Sequence, residues 1–164
     1  MQRTRTFSWS DPLATAEAAM NLPGIDAIRA IAAGELPPPP IADLLDFEIV
    51  LVEPGRVVFA VEPAEWMYNP IGSVHGGVAA TLLDSSLGCA VHSVLEAGRR
   101  YTTTDLHVRY VRALTADTGR VLADSRVVHV GRKLATAEGR LYAEADETLF
   151  AHATASCQVA VAAP

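Results

Sequence analysis

The stretch NPIGSVHGGVAATLLD, residues 69–84, decides how the rest of the chain is interpreted. It opens a long apolar run and carries one amide, one imidazole, two adjacent glycines and a single carboxylate. Between residues 72 and 95 there is no Lys or Arg, and Asp84 is the only acidic residue. A lone carboxylate among apolar residues costs free energy unless a partner or a reaction uses it. The stretch therefore predicts an apolar helix that carries a functional acid.

This helix is predicted to begin near His75 and to end near Glu96, because Gly98 tolerates a left-handed stop. Period-two apolar patterns on both sides of it indicate strands. Two strands precede the helix, at 47–52 and 56–61, and four follow it, at 106–111, 120–130, 134–145 and 149–161. Strands and helices do not alternate as a parallel doubly wound sheet requires. The order predicts an α+β fold in which an antiparallel sheet wraps around one long central helix.

The N-terminal part of the chain is predicted to pack rather than to carry chemistry. Residues 1–9 are expected to be disordered, and Ser10-Asp11-Pro12 is typical of a helix start. A first helix reaches Met20, and a second covers residues 25–33 before Gly34 and the prolines 37–40 stop it. We therefore divide the single domain into an N-terminal helical extension, 1–37, and a main body, 38–164.

Composition excludes several classes of protein. Half of the 164 residues are hydrophobic, which is enough for one sizeable core. The net charge of −6 argues against nucleic acid as a partner, because phosphate binding needs clustered Lys and Arg. The two cysteines, Cys89 and Cys157, show no disulfide or zinc spacing, so a reducing compartment is expected. Neither a signal peptide nor a membrane span is recognisable, and we predict a cytoplasmic protein without membrane association.

One face of the predicted helix carries a polar stripe of unusual composition. Its members are Thr81, Asp84, Ser85, Gly88 and His92, which share one side of a helix. A solvated face normally carries Lys, Glu, Arg and Gln, whereas this one has small hydroxyls, a glycine and one acid. The stripe is interpreted as the lining of a cavity or as a helix contact, with plain solvent exposure as the alternative.

The start of the helix suits an oxygen that gains negative charge. Backbone N–H groups there lack intrahelical partners, and the helix dipole is positive at that end. Asp84 lies eight positions beyond Gly76, so the two are about 12 Å apart along one helix axis. If Gly76 polarises a carbonyl and Asp84 attacks it or activates water, the acid must come from a second copy of the chain. The active site would then straddle a two-fold dimer interface.

Three motifs together resemble the hotdog-fold acyl-CoA thioesterases of the PaaI type. They are NPIGSVHGG at 69–77, LD at 83–84 and TTDL at 103–106, and the resemblance extends from about residue 38 to residue 159. It implies a hotdog fold, a thioester of coenzyme A as substrate, and dimers that pair into tetramers. It implies no separate cofactor, because coenzyme A is part of the substrate.

The resemblance also implies roles for individual residues. Gly76 would polarise the thioester carbonyl with its N–H, beside Gly77 as a further substrate-binding residue. His75 and Asn69 would hold that carbonyl or the water. Asp84 would act as general base or as nucleophile through a mixed anhydride. A hydroxyl would assist the water, from Thr103 or, as a second choice, from Thr104. One branch of the superfamily has Glu at the position of the catalytic acid and a hydroxyl residue four positions later. This chain has Asp84 and Gly88 at those two positions, so it resembles the branch that uses Asp.

Other residues are candidates for substrate binding, and each of them also has a purely structural interpretation. Trp66 and Tyr68, which flank Met67, could line the acyl pocket or simply belong to the core. Arg132 and Lys133, at a predicted hairpin turn, could meet the phosphates of coenzyme A or lie in a solvated turn. The same two interpretations hold for Arg99 and Arg100.

Other functions compete with hydrolysis of an acyl-CoA thioester. A serine hydrolase would need a G-x-S-x-G elbow, which is missing from the sequence. The five histidines show no paired ligand spacing, so no metal site is predicted. A non-catalytic module that binds or senses acyl-CoA stays open, as does a hotdog acyl-CoA hydratase. The retained set Asn69, His75, Gly76 and Asp84 favours an enzyme over a sensor.

Overall fold

Helix and strand boundaries come from a computed structural model that describes residues 1–161. The helices are α1 (Pro12–Met20), α2 (Gly24–Ala32), α3 (Pro40–Leu45) and α4 (Gly76–His92). The strands are β1 (Glu48–Glu53), β2 (Arg56–Val61), β3 (Arg99–Tyr110), β4 (Val121–Val130), β5 (Leu134–Ala143) and β6 (Leu149–Val161). Short 3₁₀ turns occupy Glu65–Met67 and Ala116–Thr118.

The six strands form one antiparallel sheet around α4. The strand order is β1-β2-β4-β5-β6-β3, so β1 and β3 are the edges. Leu82, Leu83, Leu87 and Val91 of α4 have no exposed surface and lie at the centre of the core. Burying each such side chain contributes roughly 1.5–3 kcal/mol. The prediction of an α+β fold with a sheet wrapped around a long helix is confirmed.

The central helix is shorter than its sequence pattern predicts. It ends at His92, not near Glu96, and the Ser93 hydroxyl donates to the Ala90 carbonyl while accepting from the Gly55 N–H at 2.8 Å. The chain beyond it turns toward α2, where the Gly24 N–H donates to the Leu95 carbonyl at 3.0 Å. These tertiary hydrogen bonds replace the last helical turn, so the predicted end at residue 96 was wrong.

The N-terminal extension differs from expectation in two places. The prolines that were expected only to stop a helix also start one, because Pro40 occupies the first turn of α3. Residues 1–9 have no helix or strand, yet Arg5 bonds to Asp46 at 2.7 Å and lies 3.7 Å from the centre of the Trp66 ring. Ile28 of α2 is buried in the main core. The boundary at residue 37 stays a prediction.

Strand β3 begins seven residues earlier than predicted and contains a bulge. Thr103 pairs with Cys157 and Asp105 with Ser156, so Thr104 is an extra residue relative to β6. The less exposed positions are 99, 101 and 103 before the bulge but 106 and 108 after it. The bulge thus changes which positions of β3 face the helix.

A buried hydroxyl pair joins α4 to the sheet. The Ser86 and Ser125 oxygens are 2.6 Å apart, and both side chains are fully buried. Ser86 also donates to the Leu83 carbonyl at 3.0 Å. A Cβ on Gly139, the neighbour of Ser125 on β5, would come 2.4 Å from the Ser125 oxygen. The glycine therefore leaves the space that the hydroxyl pair needs.

Candidate active site

The first turn of α4 presents one uncommitted backbone amide. His75 is the N-cap, with an extended backbone at ψ 132°, and its Nδ1 accepts the Gly77 N–H at 2.9 Å. The Val78 N–H donates to the His75 carbonyl. Within residues 1–161, the Gly76 N–H donates to no acceptor. This amide is free to bind an oxygen at the positive end of the helix dipole.

The loop before α4 is shaped by Asn69. Its side-chain oxygen accepts the N–H groups of Ile71 at 3.0 Å and Ser73 at 3.3 Å, and its amide donates to the Ser73 hydroxyl. The His75 N–H then donates to the Met67 carbonyl at 2.8 Å. Within one protomer, Asn69 therefore uses its side chain to fold the loop that delivers His75.

Asp84 lies half-buried in the middle of α4 and is held from β3. The Thr103 hydroxyl donates to Asp84 Oδ1 at 3.0 Å. Gly76 and Asp84 are on the same helix, so about 12 Å of helix axis separates them. The structure therefore brings Thr103 to Asp84, and His75 to Gly76, but it does not bring these two pairs together within one protomer.

The rest of the polar stripe divides into two parts. Thr81 is half-exposed and donates to the Gly77 carbonyl at 2.8 Å, and Ser85 is half-exposed as well. Gly88 is instead covered by the Tyr101 ring of β3, because a Cβ there would lie 2.5 Å from a ring carbon. The His92 ring packs beside the same tyrosine. The C-terminal half of the stripe is thus a contact between α4 and β3.

Burial shifts the pKa of several groups in that contact. Burial raises the pKa of the Cys89 thiol to about 12, against a weaker lowering by its hydrogen bond with Tyr101. Burial also raises the pKa of Tyr101 well above its ordinary value, and it lowers the pKa of His92. These groups are neutral at pH 7, so Asp84 has no titrating neighbour among them near neutral pH.

A cleft of about 330 Å³ opens beside the start of α4. Its walls are His75, Gly76, Tyr110 and Arg112 together with an apolar group, Val74, Ala79, Val111, Ala113, Leu114, Leu141, Phe150 and Ala151. Tyr110 was not predicted as a site residue. Its hydroxyl donates to the Gly76 carbonyl at 2.9 Å, and a Cβ at Gly76 would lie 3.1 Å from its ring. The only sequence signal for Tyr110 is the alternation of side chains along β3. The bulge at Thr104 interrupts that alternation, so it does not show that Tyr110 faces α4.

The predicted aromatic pocket residues lie outside this cleft. Trp66 is exposed beneath the Arg5 guanidinium, and the Tyr68 hydroxyl accepts the Ala116 N–H at 2.9 Å. In this protomer, neither Trp66 nor Tyr68 lines the cleft. Their part in substrate binding stays a prediction.

The two basic pairs are brought together at one corner of the sheet. The Arg99 guanidinium donates to the Arg132 carbonyl at 2.9 Å, and Arg132 and Lys133 are exposed in the turn between β4 and β5. In the described part of the chain, Arg99, Arg100, Arg132 and Lys133 form no ion pair. A cationic corner in an acidic chain is suited to phosphate groups.

Residues 1–161 contain no group of three or more His, Cys, Asp or Glu side chains placed to hold a metal ion. Over the same residues, every helix is too short or too polar to cross a lipid bilayer.

Comparison with known proteins shows which family part of the chain resembles. Residues 71–150 match the Thioesterase superfamily. A protein of Halobacterium salinarum, provisionally named an esterase, is 42% identical over 77 residues, which are 46% of this chain and 49% of that protein. The 1,4-dihydroxy-2-naphthoyl-CoA hydrolase of Listeria monocytogenes is 24% identical over 121 residues, 74% of this chain and 94% of that one. The match thus spans about half the length of the Halobacterium protein but nearly all of the Listeria hydrolase.

Solved structures agree with this resemblance. A Ralstonia eutropha protein described as related to phenylacetic acid degradation has a TM-score of 0.72 and 28% identity, covering 80% of this chain and 98% of that one. The PaaI protein of Escherichia coli has a TM-score of 0.71 at 20% identity, covering 84% of this chain and 94% of that one.

The sheet wrapped around α4 and the glycine pair at its start define the class, which is a hotdog protein. Residues 71–150 match the thioesterase superfamily, and the predicted resemblance to the PaaI-type hotdog thioesterases is confirmed.

Proposed function

We propose that this chain hydrolyses an acyl-CoA thioester to a free acid and coenzyme A, at a site shared by two protomers. The observation that carries the proposal is the arrangement of α4. A free Gly76 amide begins the helix, and a carboxylate held by Thr103 lies eight residues further on. The hydrolase name of the Listeria relative supports the acyl-CoA substrate class.

The chemistry needs one donor and one acid. The Gly76 N–H polarises the thioester carbonyl and stabilises the negative charge that develops on its oxygen. As a general base, Asp84 takes a proton from water, the hydroxide bonds to the carbonyl carbon, and the C–S bond breaks to release the thiolate, which is then protonated. As a nucleophile, Asp84 itself bonds to that carbon, the C–S bond breaks, and water hydrolyses the mixed anhydride.

Strand β3 offers the edge through which two protomers would combine. It is 12 residues long, and β6 is its one partner strand in the region described. Unpaired backbone groups on such an edge readily pair with another chain. Since Thr103 of β3 holds Asp84, the carboxylate lies near this edge, where a two-fold partner would present its own Gly76. Pairing of dimers into a tetramer is expected from the family resemblance.

The cationic corner would bind the nucleotide part of the substrate. Arg132 and Lys133, with Arg99 and Arg100 beside them, would meet the phosphates of coenzyme A. The acyl group would enter the apolar cleft beside Gly76.

The direct test is release of free thiol from acetyl-, hexanoyl-, benzoyl- and phenylacetyl-CoA. We expect turnover of at least one substrate, and Asp84→Asn to lower kcat about 100-fold or more. Hydrolysis by Asp84→Asn at the wild-type rate would remove the role of this acid. Binding of every substrate without release of thiol would favour the sensing module.

The Gly76 amide can be tested without breaking the helix. Proline is tolerated in the first turn and requires an extended residue before it, which His75 is. Gly76→Pro removes the N–H and should lower kcat about 100-fold to 1,000-fold. Gly76→Ala is the matched control, since it makes the same Cβ contact with Tyr110 but keeps the N–H. Equal kinetics for the two variants would show that the amide is not used.

Sharing of the site between protomers has its own test. Co-expressed Gly76→Pro and Asp84→Asn chains form heterodimers in which one of the two sites is intact. Random pairing makes half of the dimers mixed, so about a quarter of wild-type activity should return. An inactive mixture would place both groups of each site in the same protomer.

A further inference from the structure

The glycine pair at the start of α4 is held by side chains on two sides. Glycines leave the backbone more freedom than other residues, which would let an amide at this place point in many directions. The His75 imidazole accepts the Gly77 N–H, and the Tyr110 hydroxyl donates to the Gly76 carbonyl. Both contacts fall on the peptide unit between Gly76 and Gly77. The Gly76 N–H belongs to the preceding unit, so its direction relative to this fixed unit depends on rotation about the bonds at the Gly76 Cα.

The bulge in β3 is what brings Tyr110 to this place. Thr103 and Tyr110 are seven positions apart, and in a regular strand an odd separation puts two side chains on opposite faces. The extra residue between Thr103 and Asp105 adds one step and returns Tyr110 to the face of Thr103. Besides the contacts of Tyr101 with Gly88 and Cys89, the same strand therefore contacts α4 at the Asp84 carboxylate and at the Gly76 carbonyl.

We propose that Tyr110 is a positioning residue that fixes the direction of the Gly76 N–H. The hydroxyl anchors the Gly76 carbonyl to β3, and the ring lies against the Gly76 Cα, where no Cβ intervenes. A donor that is already oriented stabilises developing charge without reorganising during the reaction. This inference rests on the proposed function, because the orientation matters only if the amide binds the reacting oxygen.

The location of Tyr110 separates this role from a stabilising one. In the isolated protomer its side chain is 56% exposed, and it is the last residue of β3, the strand along which two protomers are proposed to combine. Removing only its hydroxyl leaves the ring in place and opens no cavity in the core. The folded state should therefore tolerate Tyr110→Phe, while the first turn of α4 becomes less fixed.

Kinetics of Tyr110→Phe give the first test, on the best substrate of the acyl-CoA panel. We expect kcat to fall about tenfold with KM within twofold of wild type, because the loss is in orientation of a transition-state donor. Tyr142→Phe is the matched control, since Tyr142 lies on the outer face of the sheet away from α4. A kcat for Tyr110→Phe within twofold of wild type would overturn the proposal.

Amide hydrogen exchange gives a second test that needs no turnover. Tyr110→Phe should speed exchange at Gly77 and Val78 about fivefold or more, with Tyr142→Phe unchanged, because the first turn opens more often. Unchanged exchange in Tyr110→Phe would overturn the positioning role. If wild type hydrolyses no thioester, the proposed function fails, and exchange alone then decides whether Tyr110 fixes the glycine pair.

Discussion

At the scale of single residues, one hydroxyl decides how Asp84 is presented. Thr103 Oγ1 donates to one carboxylate oxygen, which leaves the other oxygen to water or substrate. The family resemblance of the stretch 69–84 and of the threonines at 103–104 led to both residues being named as site residues, but it did not predict the hydrogen bond between them. Tyr110 was missed because its direction depends on a bulge, and a bulge arises from pairing with β6, which alternation along β3 does not reveal.

Thr103→Val keeps the shape of the side chain and removes the donor. We expect kcat for thioester hydrolysis to fall about tenfold, because Asp84 loses its orienting hydrogen bond. Thr103→Ser should stay near wild type. Thr102→Val is the control, since Thr102 is exposed on the other face of β3. Full activity of Thr103→Val would remove Thr103 from the site.

At the scale of elements, the strongest patterns were interpreted correctly, and so were the bounds of β2 and β6, but the end of α4 and the start of β3 were not. The apolar run of α4 and the β1–β2 hairpin follow from local sequence alone. The end of α4 at His92 depends on hydrogen bonds from Ser93 and from α2, which are distant in the chain. The start of β3 at Arg99 depends on β6 as its partner. Tertiary contacts therefore set those boundaries.

The contact between α4 and β3 can be tested at Gly88. A Cβ there would approach the Tyr101 ring to 2.5 Å, so Gly88→Ala should lower the free energy of unfolding by about 1–3 kcal/mol. In a Tyr101→Leu background, which lacks the ring, the same substitution should cost less. Urea denaturation of the four proteins measures this coupling. An equal cost in both backgrounds would show that the ring is not what excludes a side chain at Gly88.

At the scale of the whole molecule, buried acids make the fold sensitive to alkaline pH. Burial raises the pKa of Cys89 from 9.0 to about 12 and also raises the pKa of Tyr101 and Cys157. The unfolded chain therefore loses these protons at a lower pH than the folded chain. Above about pH 9 for the two thiols, and above about pH 10 for Tyr101, the free energy of unfolding should fall by up to about 1.4 kcal/mol per pH unit for each group.

Urea denaturation at intervals from pH 8 to pH 11 checks this expectation. Cys89→Ala should reduce the slope, because the substitution removes one of the three titrating groups. A stability that stays constant up to pH 11 would mean that the thiols and the phenol ionise as easily in the folded chain as in the unfolded one.

The buried contact of Ser86 with Ser125, over Gly139, ties three positions on three elements to one another. Losing either hydroxyl alone leaves a polar atom without its partner, and adding a side chain at 139 displaces both. During divergence of the family, the residues at positions 86, 125 and 139 should consequently change together. Lineages that replace the serines by apolar residues should be the ones in which position 139 has grown beyond glycine.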